Sequence, residues 1–131
     1  MDMSRPRILV VARNDNLNLV FNPLLHLYDM VALPTSSLSD AKDIVRSGHV
    51  DGVILHTSFC REMPAIEFLS WLRSCPLHAA TRCAVLNGDH DADDDLVAAA
   101  CVLGACLFKY PRELTSILDY FEEATTHRNA A

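Results

Sequence analysis

Five short runs of consecutive apolar residues, with no polar residue alternating through them, constrain this chain more than any other feature. They are Ile8 to Val11, Met30 to Leu33, Val53 to Leu55, Cys83 to Leu86 and Ala105 to Phe108. A strand with one wet face alternates polar and apolar residues, whereas a strand covered on both faces does not. Between the runs lie segments with helical spacing, so strand and helix alternate along the chain, which calls for repeated right-handed βαβ crossovers. The expected fold is α/β: a doubly wound parallel sheet of five strands, with about five helices, in three layers.

The helical segments carry their own punctuation. Leu38, Ala41 and Val45 share a face, with Ser36 or Ser37 as N-cap and Gly48 beyond the end. Ala65, Phe68, Leu69 and Leu72 form a stripe after Pro64, and Leu96, Ala99, Ala100 and Leu103 form another that Gly104 stops. The last helix follows Pro111 and buries Leu114, Ile117, Leu118 and Phe121. In the first, Leu17, Val20, Phe21 and Leu24 have the right spacing, but Pro23 removes a donor and predicts a kinked or delayed helix. Residues 1–124 read as one domain, and 125–131 as a polar tail or the start of a linker.

Composition narrows the function classes. At 131 residues the chain suits one domain, which buries about 65 to 70% of its unfolded surface. A formal charge of -6 with scattered basic residues argues against nucleic-acid binding, which needs a basic stripe. Cys60, Cys75, Cys83, Cys101 and Cys106 contain no Cys-x-x-Cys pair and leave one thiol over if bridged, which fits a reducing, cytoplasmic setting. No stretch reads as a signal peptide or membrane span.

The order of several pieces resembles the receiver domain of two-component response regulators over nearly the whole chain. The pieces are Arg7-Ile8-Leu9-Val10-Val11, Asp51-Gly52-Val53-Ile54-Leu55, Met63-Pro64 with Ile66 to Leu69 and Leu72-Arg73, Ala84 to Gly88, Gly104 to Phe108, and Pro111 with Leu114. The resemblance implies a flavodoxin-like fold with its site at the strand C-terminal ends. It also implies four groups: an acidic pair after the first strand for Mg²⁺, an Asp nucleophile ending the third, a Thr or Ser ending the fourth and a Lys ending the fifth.

This sequence departs at each position. Ala12 and Arg13 replace the acidic pair, His56 stands at the nucleophile and Asn87 at the hydroxyl. Lys109 directly follows Phe108, whereas the family places its Lys three residues after that aromatic, so that Pro111 falls on the Lys position. Ala12, Arg13, His56, Asn87 and Lys109 therefore outline a vestigial phosphorylation pocket in a pseudo-receiver that is no enzyme. Its expected role is phosphorylation-independent protein binding, with a protein partner or its own output domain, in a bacterial regulator. The resemblance implies a partner or homodimer face on the fourth helix, fifth strand and fifth helix, here Val97, Cys101, Phe108, Tyr110 and Tyr120. Two alternatives stay open: a phosphoryl acceptor using His56 itself, since neutral imidazole is a nucleophile, and a small-molecule sensor in the vestigial pocket.

Other constellations carry less. Asp89, Asp91 and Asp93 have the opening spacing of a calcium loop, but Asp94 takes its Gly position and Ala100 its Glu position. Asp93 to Asp95 are read instead as a helix start. His56 and Cys60 at i, i+4 lack a paired-ligand motif for zinc, and Ala12 to Asn16 has no glycine for a flavin phosphate loop. No metal or cofactor is expected.

Overall fold

The computed structural model describes residues 5–12, 15–48, 50–56, 64–87, 94–109 and 112–130. The elements alternate: β1 Arg7–Val11, α1 Asp15–Leu27, β2 Val31–Thr35, α2 Leu38–Ser47, β3 Gly52–His56, α3 Pro64–Ser74, a 3₁₀ turn Pro76–His78, β4 Arg82–Asn87, α4 Asp94–Val102, β5 Cys106–Lys109 and α5 Leu114–Ala130. All five strands are parallel, in the order β2-β1-β3-β4-β5. The winding reverses between β1 and β3, which opens a crevice beyond their C-terminal ends.

Alternation along the central strands divides the core into two halves. Leu9, Val11, Val53, Leu55, Cys83 and Val85 face α2, α3 and α4, where they meet Ala41, Val45, Phe68, Leu69, Leu72 and Ala100. Ile8, Val10, Ala12, Ile54, Ala84 and Leu86 face α1 and α5, where they meet Leu17, Phe21, Leu25, Ile117, Leu118 and Phe121. Both faces of the sheet are therefore dry, and this is why the strands read as unbroken apolar runs.

Local chemistry sets the joints. Ser37 is the N-cap of α2, its side chain accepting from the Asp40 N–H at 3.0 Å. Gly104, at φ 75°, closes α4: Ala105 donates to the Ala100 carbonyl and Gly104 to that of Cys101, the paired bonds of a Schellman motif. The same pair of bonds ends α1, from Met30 to Leu25 and from Asp29 to His26, but there Asp29 occupies the left-handed conformation at φ 62°. Gly52 opens β3 directly beneath Phe121, where a Cβ would lie 2.6 Å and 2.7 Å from two ring carbons.

One expectation is corrected: Pro23 does not delay α1, which runs from Asp15 to Leu27 with Pro23 inside it. Pro23 is exposed, while Leu17, Phe21 and Leu25 of the same helix are buried in the core, which offsets part of the cost of an interior proline. Residues 125–130, expected as a polar tail or linker start, are helical as the end of α5.

Candidate functional site

The crevice at the switch point is built from the ends of β1 and β3. Val11 pairs with Leu55, so the next residues, Ala12 and His56, lie side by side. Ala12 is fully buried, and its N–H donates to the Thr35 carbonyl at 3.1 Å, extending the β1–β2 ladder by one bond. His56 ends β3 and pairs with Leu86, which in turn pairs with Phe108. By strand alternation His56 belongs with Ile54, Ala12 and Leu86 on the α1/α5 face. It is half-buried, and burial lowers its pKa, so the neutral imidazole is favoured.

Lys109 lies elsewhere. It ends β5 opposite Asn87, with its side chain exposed. Two strand spacings, about 10 Å, separate its backbone from that of His56. Alternation puts it with Leu107, on the α2/α3/α4 face. Its N–H and carbonyl are both engaged by Glu113, through Oε1 at 2.7 Å and the Glu113 N–H at 2.7 Å. The structure thus brings Ala12 and His56 together and sets Lys109 apart from them. Arg13 and the loop from Asp89 to Asp93 lie outside the described residues, as do Tyr110, Pro111 and Cys60, while Asn87 is placed by its backbone as the last residue of β4.

On the expected interaction face, Cys101 is exposed on α4, and Phe108 on β5 and Tyr120 on α5 are half-buried; Val97 is placed only as part of α4. Tyr120 is engaged on several sides. Its ring centroid lies 5.5 Å from that of Phe108 and 5.0 Å from that of Phe121, and the Arg82 guanidinium sits 4.8 Å over it. Burial, then the Cys106 thiol beside it, push its pKa up. At the end of α4, Val102 is 85% exposed.

One residue with a large structural role was not foreseen. Arg73, at the end of α3, spends all five of its N–H groups on the neighbouring backbone and one thiol. Nε donates to the Leu103 carbonyl at 2.6 Å, Nη1 to those of His78 at 2.9 Å and Thr81 at 2.7 Å, and Nη2 to that of Gly104 at 3.3 Å and to Cys83 Sγ at 3.7 Å. Burial holds the Cys83 thiol up at about 11, against the pull of Arg73. No sequence signature announces such a clamp, because four of its five partners are main-chain carbonyls.

Among the described residues, no group of three or more His, Cys, Asp or Glu is placed to hold a metal, no two cysteines are bridged, and no helix is long and apolar enough to cross a membrane.

Strand order, two-sided helix cover and the switch point define a flavodoxin-like fold. Within that class the strand order is β2-β1-β3-β4-β5. Solved structures share it: a response regulator from Thermotoga maritima (TM-score 0.77, 18% identity, covering 94% of this chain and 99% of that one) and a response regulator receiver protein from Pseudomonas putida (0.76, 20%, 90% and 96%). A chemotaxis protein from Vibrio cholerae matches with a TM-score of 0.76 at 14% identity, over 90% of this chain and 99% of that one. No protein-family model and no curated protein matches this chain.

Proposed function

We propose that this chain is a receiver-like signalling domain that has given up phosphoryl transfer and works by binding protein. The observation that carries the reading is His56 at the end of β3, one residue past the Val11–Leu55 pair, with the buried Ala12 one residue past it on the β1 side, at the crevice where a receiver performs its chemistry. Phosphoryl transfer to a carboxylate needs a nucleophilic Asp and a divalent cation on carboxylate oxygens. Ala12 offers no ligand atom, and a neutral His56 offers no anionic oxygen. On this reading the output passes through the α4, β5 and α5 surface carrying Val97, Cys101, Phe108, Tyr110 and Tyr120. Its partner is another protein, a second copy, or an output domain of the same bacterial, cytoplasmic regulator.

The half-buried neutral imidazole also favours a second reading, in which His56 itself accepts a phosphoryl group. Intact-mass analysis after incubation with Mg²⁺ and a small phosphodonor separates the two. The first reading expects no adduct; a stable gain of one phosphoryl group, lost in His56→Ala, would establish the second and sink the first. For the surface, Cys101→Glu should weaken self-association or partner capture, and unchanged binding would remove that face from the account.

A further inference from the structure

At the opposite end of the sheet from His56, a cleft of about 430 Å³ opens where β4 and β5 begin, lined among others by Arg73, Thr81, Arg82, Leu103, Gly104 and Tyr120. It brings two guanidinium groups together in a chain whose formal charge is -6. Arg73 has neutral acceptors for its five N–H groups, so among the described residues no carboxylate stands against its positive charge. Arg82 donates through Nη1 to the Tyr120 carbonyl at 2.9 Å and meets Glu123 Oε1 only at 3.8 Å, with the Glu123 side chain 70% exposed. That leaves its Nε and Nη2 donors without an acceptor among the described residues.

Arg82 is also held in place. Its guanidinium lies over the Tyr120 ring, which in turn packs on Phe108 and Phe121, so its donors are presented from a fixed position. Val102 and Leu103 of the α4 terminus and Ala79 and Ala80 supply apolar wall. A fixed fork with free donors, an uncompensated second charge and an apolar wall suit one kind of occupant. We infer that this cleft binds a small organic anion, its carboxylate or phosphate group on Arg82 within the field of Arg73 and its apolar body against Val102 and Leu103. Arg73 supplies charge and shape and no hydrogen bond, since its donors are spent. Glu123 is the group the ligand displaces.

The site lies away from the crevice at the strand C-terminal ends, so its occupancy does not depend on whether His56 accepts phosphate. The test is an amide-resolved NMR titration of the full chain with benzoate, with benzamide as its uncharged match and with inorganic phosphate. Benzoate is expected to shift the amides of Thr81, Arg82 and Gly104, to weaken as salt is raised and to bind at least tenfold less well to Arg82→Gln. Benzamide should leave those amides in place. No shift at these residues with millimolar benzoate, equal binding of benzamide, or undiminished binding to a folded Arg82→Gln would each overturn the inference. Binding of phosphate without benzoate would overturn the assignment of the apolar wall.

Discussion

Replacing Gly52 by Ala adds one methyl group at the tightest approach between the sheet and α5. The new Cβ would lie 2.6 Å and 2.7 Å from Phe121 Cε1 and Cδ1 and 3.0 Å from Ile8 Cδ1. Ordinary carbon contacts are about 3.5 to 4.0 Å, so the ring must withdraw by about 1 Å. It has little room to do so, being 2% exposed and packed edge-on against Tyr120. Overpacking of this kind costs about 1 to 3 kcal/mol, offset by about 0.5 to 1 kcal/mol because Ala loses less chain entropy than Gly. The expected net loss is about 1 to 2 kcal/mol, or a fall in Tm of about 3 to 10 °C. Urea unfolding followed by far-UV circular dichroism measures it, with Phe121→Leu as the second arm of a double-mutant cycle. If the ring is the obstacle, Gly52→Ala should cost at least about 1 kcal/mol less in the Phe121→Leu background. A Gly52→Ala protein as stable as the parent, or strictly additive effects, would refute the reasoning.

Asp29→Gly should raise stability by up to about 1 kcal/mol in the same assay, since Gly adopts the left-handed conformation freely and the exposed pair with Arg5 at 3.2 Å that is lost contributes little. Arg73→Met should cost at least about 2 kcal/mol, because it strands several carbonyls at once, and hydrogen exchange should quicken at Leu103 and Gly104. His56 gives a pH dependence whose sign follows from its lowered pKa. The unfolded chain binds the proton more readily, so this contribution is full above the unfolded value of about 6.5 and is lost as pH falls through the folded value. His56→Gln should flatten that part of the stability-versus-pH curve; an unchanged slope would mean that other groups cause it.

The strands were legible in the sequence because burial on both faces leaves an unbroken apolar run, and their ends moved by only one or two residues, as where β2 starts at Val31 and reaches Thr35. Pro23 was misleading about where α1 starts because the cost of an interior proline is a local one, and the burial of Leu17, Phe21 and Leu25 along the same helix outweighs it. Ala12 and His56 could be placed at the crevice because both immediately follow or end a readable strand. The Arg73 clamp and the cleft beside Arg82 could not, since both depend on turns that converge from α3, the 3₁₀ segment, α4 and α5. The 3₁₀ turn itself left one faint mark, Pro76 at its first position.

The two margins of the sheet have a bearing on how this chain meets others. On one, β2 carries Pro34, exposed and without an N–H to offer; on the other, β5 is four residues long and ends in the exposed Lys109. Neither makes a good template for a further strand. Both edges thereby discourage growth into cross-β ribbons, and a partner that met this sheet would have to be recognised by side chains rather than by main-chain pairing.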